Sequence, residues 1–92
     1  MKTSAKLPPN FNQIVETFPF VKDNEYIVYT YGDTCFNVHK PLTADLIVHE
    51  STHTEQQGDS PRVWWAKYLK NPNFRLEQEL EAYSNQYEFM KK

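Results

Sequence analysis

Apolar residues return at steps of three and four in Phe11, Ile14, Val15 and Phe18 and stop at Pro19, which predicts a short first helix. The period then changes. Glu25-Tyr26-Ile27-Val28-Tyr29-Thr30-Tyr31 is rich in β-branched and aromatic residues, Gly32-Asp33 is a turn pair, and Thr34-Cys35-Phe36-Asn37-Val38-His39 alternates again. Two strands around a tight turn make a β-hairpin. Pro41 suits the first turn of a helix and Gly58 its C-terminal stop, so a second helix is predicted from about Pro41 to Gln57. Asp59-Ser60-Pro61 starts a third, short helix with Val63, Trp64, Tyr68 and Leu69 on one side, ending before Asn71-Pro72. Asn73 is then expected to cap a long last helix. There Leu76, Leu80, Tyr83, Tyr87 and Met90 form a stripe that should pack on the core.

These elements predict an α+β fold in one domain over residues 1–92, with residues 1–9 a loose lead closed by Pro8-Pro9. A chain of 92 residues holds one modest core and no second lobe, so an active site would be a shallow groove. Six Tyr, six Phe and two Trp carry much of the apolar volume. A net charge of −2 provides no basic field for phosphates, so nucleic acid is not the expected partner. The start lacks the apolar segment of a secretion signal and no stretch reaches membrane-spanning length, so a soluble, cytoplasmic protein is expected. Cys35 is the single cysteine; it allows no intrachain disulfide and reads as a small buried thiol in a strand.

The second predicted helix contains His49-Glu50-Ser51-Thr52-His53. At i and i+4 the two imidazoles rise from one side of a helix, a turn apart, and can reach a single cation. Glu50 then flanks the open coordination position, where a carboxylate serves as general base toward water rather than as a ligand. Leu42, Ala44, Leu46, Ile47 and Val48 precede the motif, and so apolar a run is expected to be buried. A hydrolytic zinc site has three protein ligands, and this helix supplies two. At 100° per residue, Glu79 lies roughly 50° from the centre of the last helix's apolar stripe, whereas Glu77 and Glu81 lie roughly 110° and 150° away. Glu79 is therefore the inward carboxylate, to be compensated by a metal or by Arg75, four residues earlier.

His49-Glu50-x-x-His53 followed by Glu79-Leu80-Glu81-Ala82-Tyr83 resembles the gluzincin pattern of zinc metallopeptidases, in which a downstream helix contributes a glutamate ligand. The likeness covers Leu42 to Tyr87 and is greatest to very small zincin-like proteins, including minigluzincins and phage or prophage proteins with a His-Glu-x-Thr-His-like motif. It implies a minimal zincin-like domain in which His49, His53 and Glu79 hold Zn2+ and Glu50 drives hydrolysis of a peptide or protein substrate. It also implies that the substrate lies extended along an edge strand of the hairpin. Many relatives carry an aspartate four residues after the glutamate ligand, to orient a zinc-bound histidine. Here that position is Tyr83, which, with Tyr87 and His39, is a candidate for stabilising the oxyanion.

Two other readings use the same residues. One is a non-catalytic zincin-like scaffold or interaction protein, its metal stapling the fold and one ring of Trp64-Trp65 turned toward a partner. The other is hydrolysis of a non-peptide amide. Oligomeric state is not legible in the sequence.

Overall fold

The computed structural model describes all residues 1–92. Its elements are β1 (Lys2–Thr3), α1 (Phe11–Thr17), β2 (Tyr29–Tyr31), β3 (Thr34–Phe36), α2 (Ala44–Gln57), α3 (Pro61–Lys70) and α4 (Pro72–Met90), with a 3-10 turn over Pro19–Asp23 between α1 and β2. The α+β expectation holds. The predicted hairpin forms as β2 and β3, antiparallel with Thr30 opposite Cys35. Gly32 opens the turn at φ +63, a left-handed conformation that glycine adopts without a Cβ penalty.

The N-terminal residues are not a loose lead. β1 pairs in parallel with β3, giving the sheet order β1-β3-β2. Beyond it the Ser4 carbonyl accepts from Val38 N–H at 2.9 Å and the Lys6 carbonyl accepts from Asn37 N–H at 2.8 Å. Sequence patterning missed this because backbone donors and acceptors, which every residue carries, hold the segment without an apolar signature.

The core is formed by Ile14, Val21, Tyr29, Trp64 and Trp65, with Phe11, Phe18, Ile27, Tyr68 and Phe74 packed around it. It joins α1, the 3-10 turn, the hairpin and α3. Both tryptophans face inward, and each finds a partner for its indole N–H: Trp64 donates to Gln78 Oε1 at 2.7 Å and Trp65 to the Thr30 carbonyl at 3.0 Å. Neither ring is left for a partner surface. Cys35 is fully buried in β3, as its strand position implied, and burial pushes its thiol pKa up.

The last helix departs from expectation in two ways. Its cap is Asn71, whose Oδ1 accepts from Phe74 N–H at 3.0 Å, with Pro72 at the first helical position; proline needs no donor there. Its apolar stripe faces outward, Leu76, Leu80, Tyr83, Tyr87 and Met90 being 56–63% exposed. The side that packs inward centres on Ala82, at 0% exposure, and includes Arg75, Gln78, Glu79 and Gln86. α4 lies antiparallel along α2, whose buried residues are His49, Thr52, His53 and Gln57. A polar face thus meets a polar face, and Ala82 lets the backbones approach. The run before the motif is not buried either: α2 begins at Ala44, not Pro41, and Leu46 and Ile47 are exposed.

Candidate metal centre

Three side chains converge where α2 and α4 meet. His49 Nε2 lies 3.1 Å and His53 Nε2 3.2 Å from Glu79 Oε1, and a set of three ligand atoms, one per residue, fits within 4.8 Å. Donors about 2.0–2.1 Å from a shared tetrahedral cation stand roughly 3.3 Å apart, so the spacings of both histidines to Glu79 match those of ligands to one ion. Both rings are buried, at 7% and 6% exposure. The inward register of Glu79 survives the reversal of the apolar stripe because its position borders both faces of α4.

Two glutamines settle which ring nitrogens carry hydrogen. His49 Nδ1 is 3.0 Å from Gln86 Oε1, while the amide nitrogen of Gln86 donates to Asp45 Oδ2 at 2.7 Å. His53 Nδ1 is 2.8 Å from Gln56 Oε1, and the Gln56 amide nitrogen donates to the Gln78 carbonyl and to Glu81 Oε1, both at 2.9 Å. Asp45, Glu81 and a backbone carbonyl can only accept at neutral pH, so each amide has one allowed orientation and its oxygen faces an imidazole. Each Nδ1 must therefore be the N–H. In the neutral rings both Nε2 lone pairs then point at a carboxylate oxygen, and three acceptors meet with no donor among them. Either protonation of an imidazole supplies the missing donor or a cation fills the junction.

The carboxylate is fixed from its far side. Tyr68 Oη donates to Glu79 Oε2 at 2.6 Å. In the metal-free protein burial alone would raise the Glu79 pKa, but the bonds it accepts from the imidazoles of His49 and His53 in their protonated form, and from Tyr68, outweigh it and hold the group well below the carboxylate range. The Tyr68 hydroxyl is correspondingly pushed far above its ordinary value, by burial first and then by Glu79. For His53, burial opposes protonation, yet the bond to Glu79 and its charge win and raise the pKa. Arg75 does not form the expected ion pair with Glu79; it donates to the Tyr68 carbonyl at 2.6 Å and forms no salt bridge.

Glu50 projects from α2 toward the sheet, where Thr30 Oγ1 donates to its Oε2 at 2.8 Å. Burial raises its pKa, with Thr30 and the two histidines opposing, which leaves a carboxylate inclined to accept a proton. Glu50, His49, His53 and Glu79 line one cavity of about 490 Å³ whose walls are mainly apolar and include Phe18, Ile27 and Trp65.

Of the remaining candidates, Tyr83 packs edge-on against His49 with ring centroids 4.5 Å apart and lines the cavity. Tyr87 is exposed beneath Lys91, outside the cavity lining. His39 is exposed, pairs with Asn37 Oδ1 at 3.0 Å and also stands outside that lining. The β2 edge is partly closed: the Thr30 carbonyl accepts from Gln57 and Trp65, and Gly32 N–H donates to Gln57 Oε1. Strand addition cannot extend through those two groups. Sequence reasoning missed Gln86, Gln56, Thr30 and Tyr68 as parts of the site. Gln56 alone had a local signal, three residues after His53 on the same helix.

No protein-family model, curated protein or solved structure matches this chain.

Proposed function

We propose that the protein is a zinc-dependent hydrolase acting on peptide bonds, with His49, His53 and Glu79 as metal ligands and Glu50 as general base. The observation that carries this reading is the convergence of three acceptors, two of them imidazole lone pairs fixed by Gln86 and Gln56. Two imidazoles and one carboxylate suit zinc in number and kind. When bound, such an ion lowers the pKa of water and polarises a carbonyl.

The protein's own groups have distinct tasks. Glu50, held by Thr30, accepts the proton of the attacking water and returns it to the departing amine. Tyr68 prevents Glu79 from rotating, and the glutamines prevent the rings from changing tautomer. Tyr83, which lines the cavity against His49, is assigned to the developing oxyanion. The raised pKa of a buried carboxylate in a cleft beside the ligand set favours this reading over an inert scaffold.

The polar seam between α2 and α4 favours a second reading, in which the metal only clamps the two helices. One experiment separates them. Elemental analysis should find one zinc per chain, and the zinc-loaded protein should hydrolyse members of a peptide library. Glu50→Gln should keep the metal and lose at least about a hundredfold in kcat, the usual weight of a general base. Absence of zinc refutes both readings. Bound zinc with no hydrolysis by the unmodified protein leaves the clamp.

A further inference from the structure

The cavity contains a cation that its surroundings leave unpaired. Arg75 is the one Lys or Arg side chain in the cavity lining, and the structure gives it no carboxylate within 4.0 Å. Glu79, one turn along the same helix, is spent: Oε1 faces the two histidines and Oε2 accepts from Tyr68. Arg75 uses one donor within the protein, to the Tyr68 carbonyl near the end of α3. A guanidinium has five N–H groups. Its Cζ lies over two rings, 5.0 Å from the Phe18 centroid and 5.7 Å from that of Tyr68, contacts that favour one position of the fork before any ligand arrives.

We infer that Arg75 binds a carboxylate of the substrate, beside an apolar side chain seated against Phe18 and Ile27. This inference rests on the metal-site reading for the reaction and for the net charge of the cavity, while the contact with Arg75 itself needs no metal. Two observations point to it. With a divalent ion in place, Glu50 and Glu79 are balanced in charge, so Arg75 leaves the cavity net positive and suited to an anion. With the β2 edge closed at the Thr30 carbonyl and Gly32 N–H, main-chain pairing cannot orient a substrate there, and a bidentate Arg–carboxylate contact supplies the missing orientation. The carboxylate belongs either to the C-terminus of a peptide or to an acidic side chain.

The test begins with a probe that cannot be hydrolysed. Binding of 3-phenylpropionate and of the uncharged 3-phenylpropanamide is followed by the fluorescence of the cavity tryptophans, with and without zinc. The acid should bind about tenfold to a hundredfold tighter than the amide, as a charge-assisted bond implies. Arg75→Gln should erase that preference and Arg75→Lys should restore part of it, with circular dichroism confirming the fold of each. Equal binding of acid and amide overturns the inference. So does a preference that persists in Arg75→Gln and vanishes when zinc is removed, since the carboxylate then sits on the metal and the metal reading stands. Arg75-dependent preference in a protein that binds no zinc supports the anion site and sinks the metal reading instead. For hydrolysed peptides, amidating the C-terminus or replacing an internal Glu by Gln should lower kcat/KM at least tenfold in one case, identifying the source. A fall in neither overturns Arg75 as a substrate anchor.

Discussion

Gln86→Leu separates a metal centre from a fortuitous cluster without touching a proposed ligand. The substitution keeps the bulk of the side chain and removes both of its bonds, to His49 Nδ1 at 3.0 Å and to Asp45 at 2.7 Å. Asp45 is only partly buried and rehydrates. His49, at 7% exposure, does not, so its ring is free to move the proton from Nδ1 to Nε2. That tautomer donates directly to Glu79 Oε1, 3.1 Å away, and a cation must then break the new bond before it can bind. Loss of such an orienting partner costs about tenfold to a hundredfold in metal affinity, or about 1.4–2.8 kcal/mol. The assay is zinc titration against a chelator of known affinity, with circular dichroism to confirm helix content. Thermal stability of the metal-free variant should change less, because the Nε2–H bond replaces the one lost. An affinity within twofold of the unmodified protein, with the fold intact, would refute the argument that the glutamines set the tautomers.

The other predictions use the same assays. Glu79→Ala should lower zinc affinity by at least a hundredfold, Glu77→Ala should have no effect, and Glu81→Ala should cost only a few fold, since Gln56 keeps its bond to the Gln78 carbonyl; equal losses in all three would mean the α4 register is wrong. Tyr68→Phe removes the 2.6 Å bond to Glu79 and should destabilise the metal-free protein by about 1.5–3 kcal/mol, as for hydrogen bonds to charged groups, which denaturant unfolding will show. Because burial raises the Glu50 pKa, the folded metal-free protein binds that proton more tightly than the unfolded chain, and stability falls as pH rises from the ordinary carboxylate value of about 4.3 through the raised one. Glu50→Gln should therefore raise the Tm of the metal-free protein above that window and leave it unchanged below; each kcal/mol is worth about 4–8 °C in a domain of this size. Zinc at a thousandfold excess over its Kd should add about 4 kcal/mol of stability, and a chelator should remove it.

Local patterning made a good deal legible. The i, i+4 histidines, the glycine turn between β2 and β3 and the proline start of α3 are set by neighbours a few residues apart, so their geometry follows from sequence alone. The orientation of α4 did not follow. An apolar stripe is a reliable pointer to the core only when the facing element is apolar, and α2 presents His49, Thr52 and His53 instead. The lead at residues 1–9 was missed for a related reason: backbone pairing leaves no trace in hydropathy.

By itself the sequence determined the chemical inventory: two imidazoles on one helical face, a carboxylate between them, and Glu79 on a flank of the last helix. Tertiary structure decided which groups hold those side chains in place. The partners stand far apart in the chain, 37 residues for Gln86 and His49 and 20 for Thr30 and Glu50, and no local period links them. Tertiary structure also decided that Arg75 faces the cavity with no carboxylate within 4.0 Å of it. The physical reason is that a hydrogen bond depends on position within a few tenths of an ångström, which only the assembled helices and hairpin can fix.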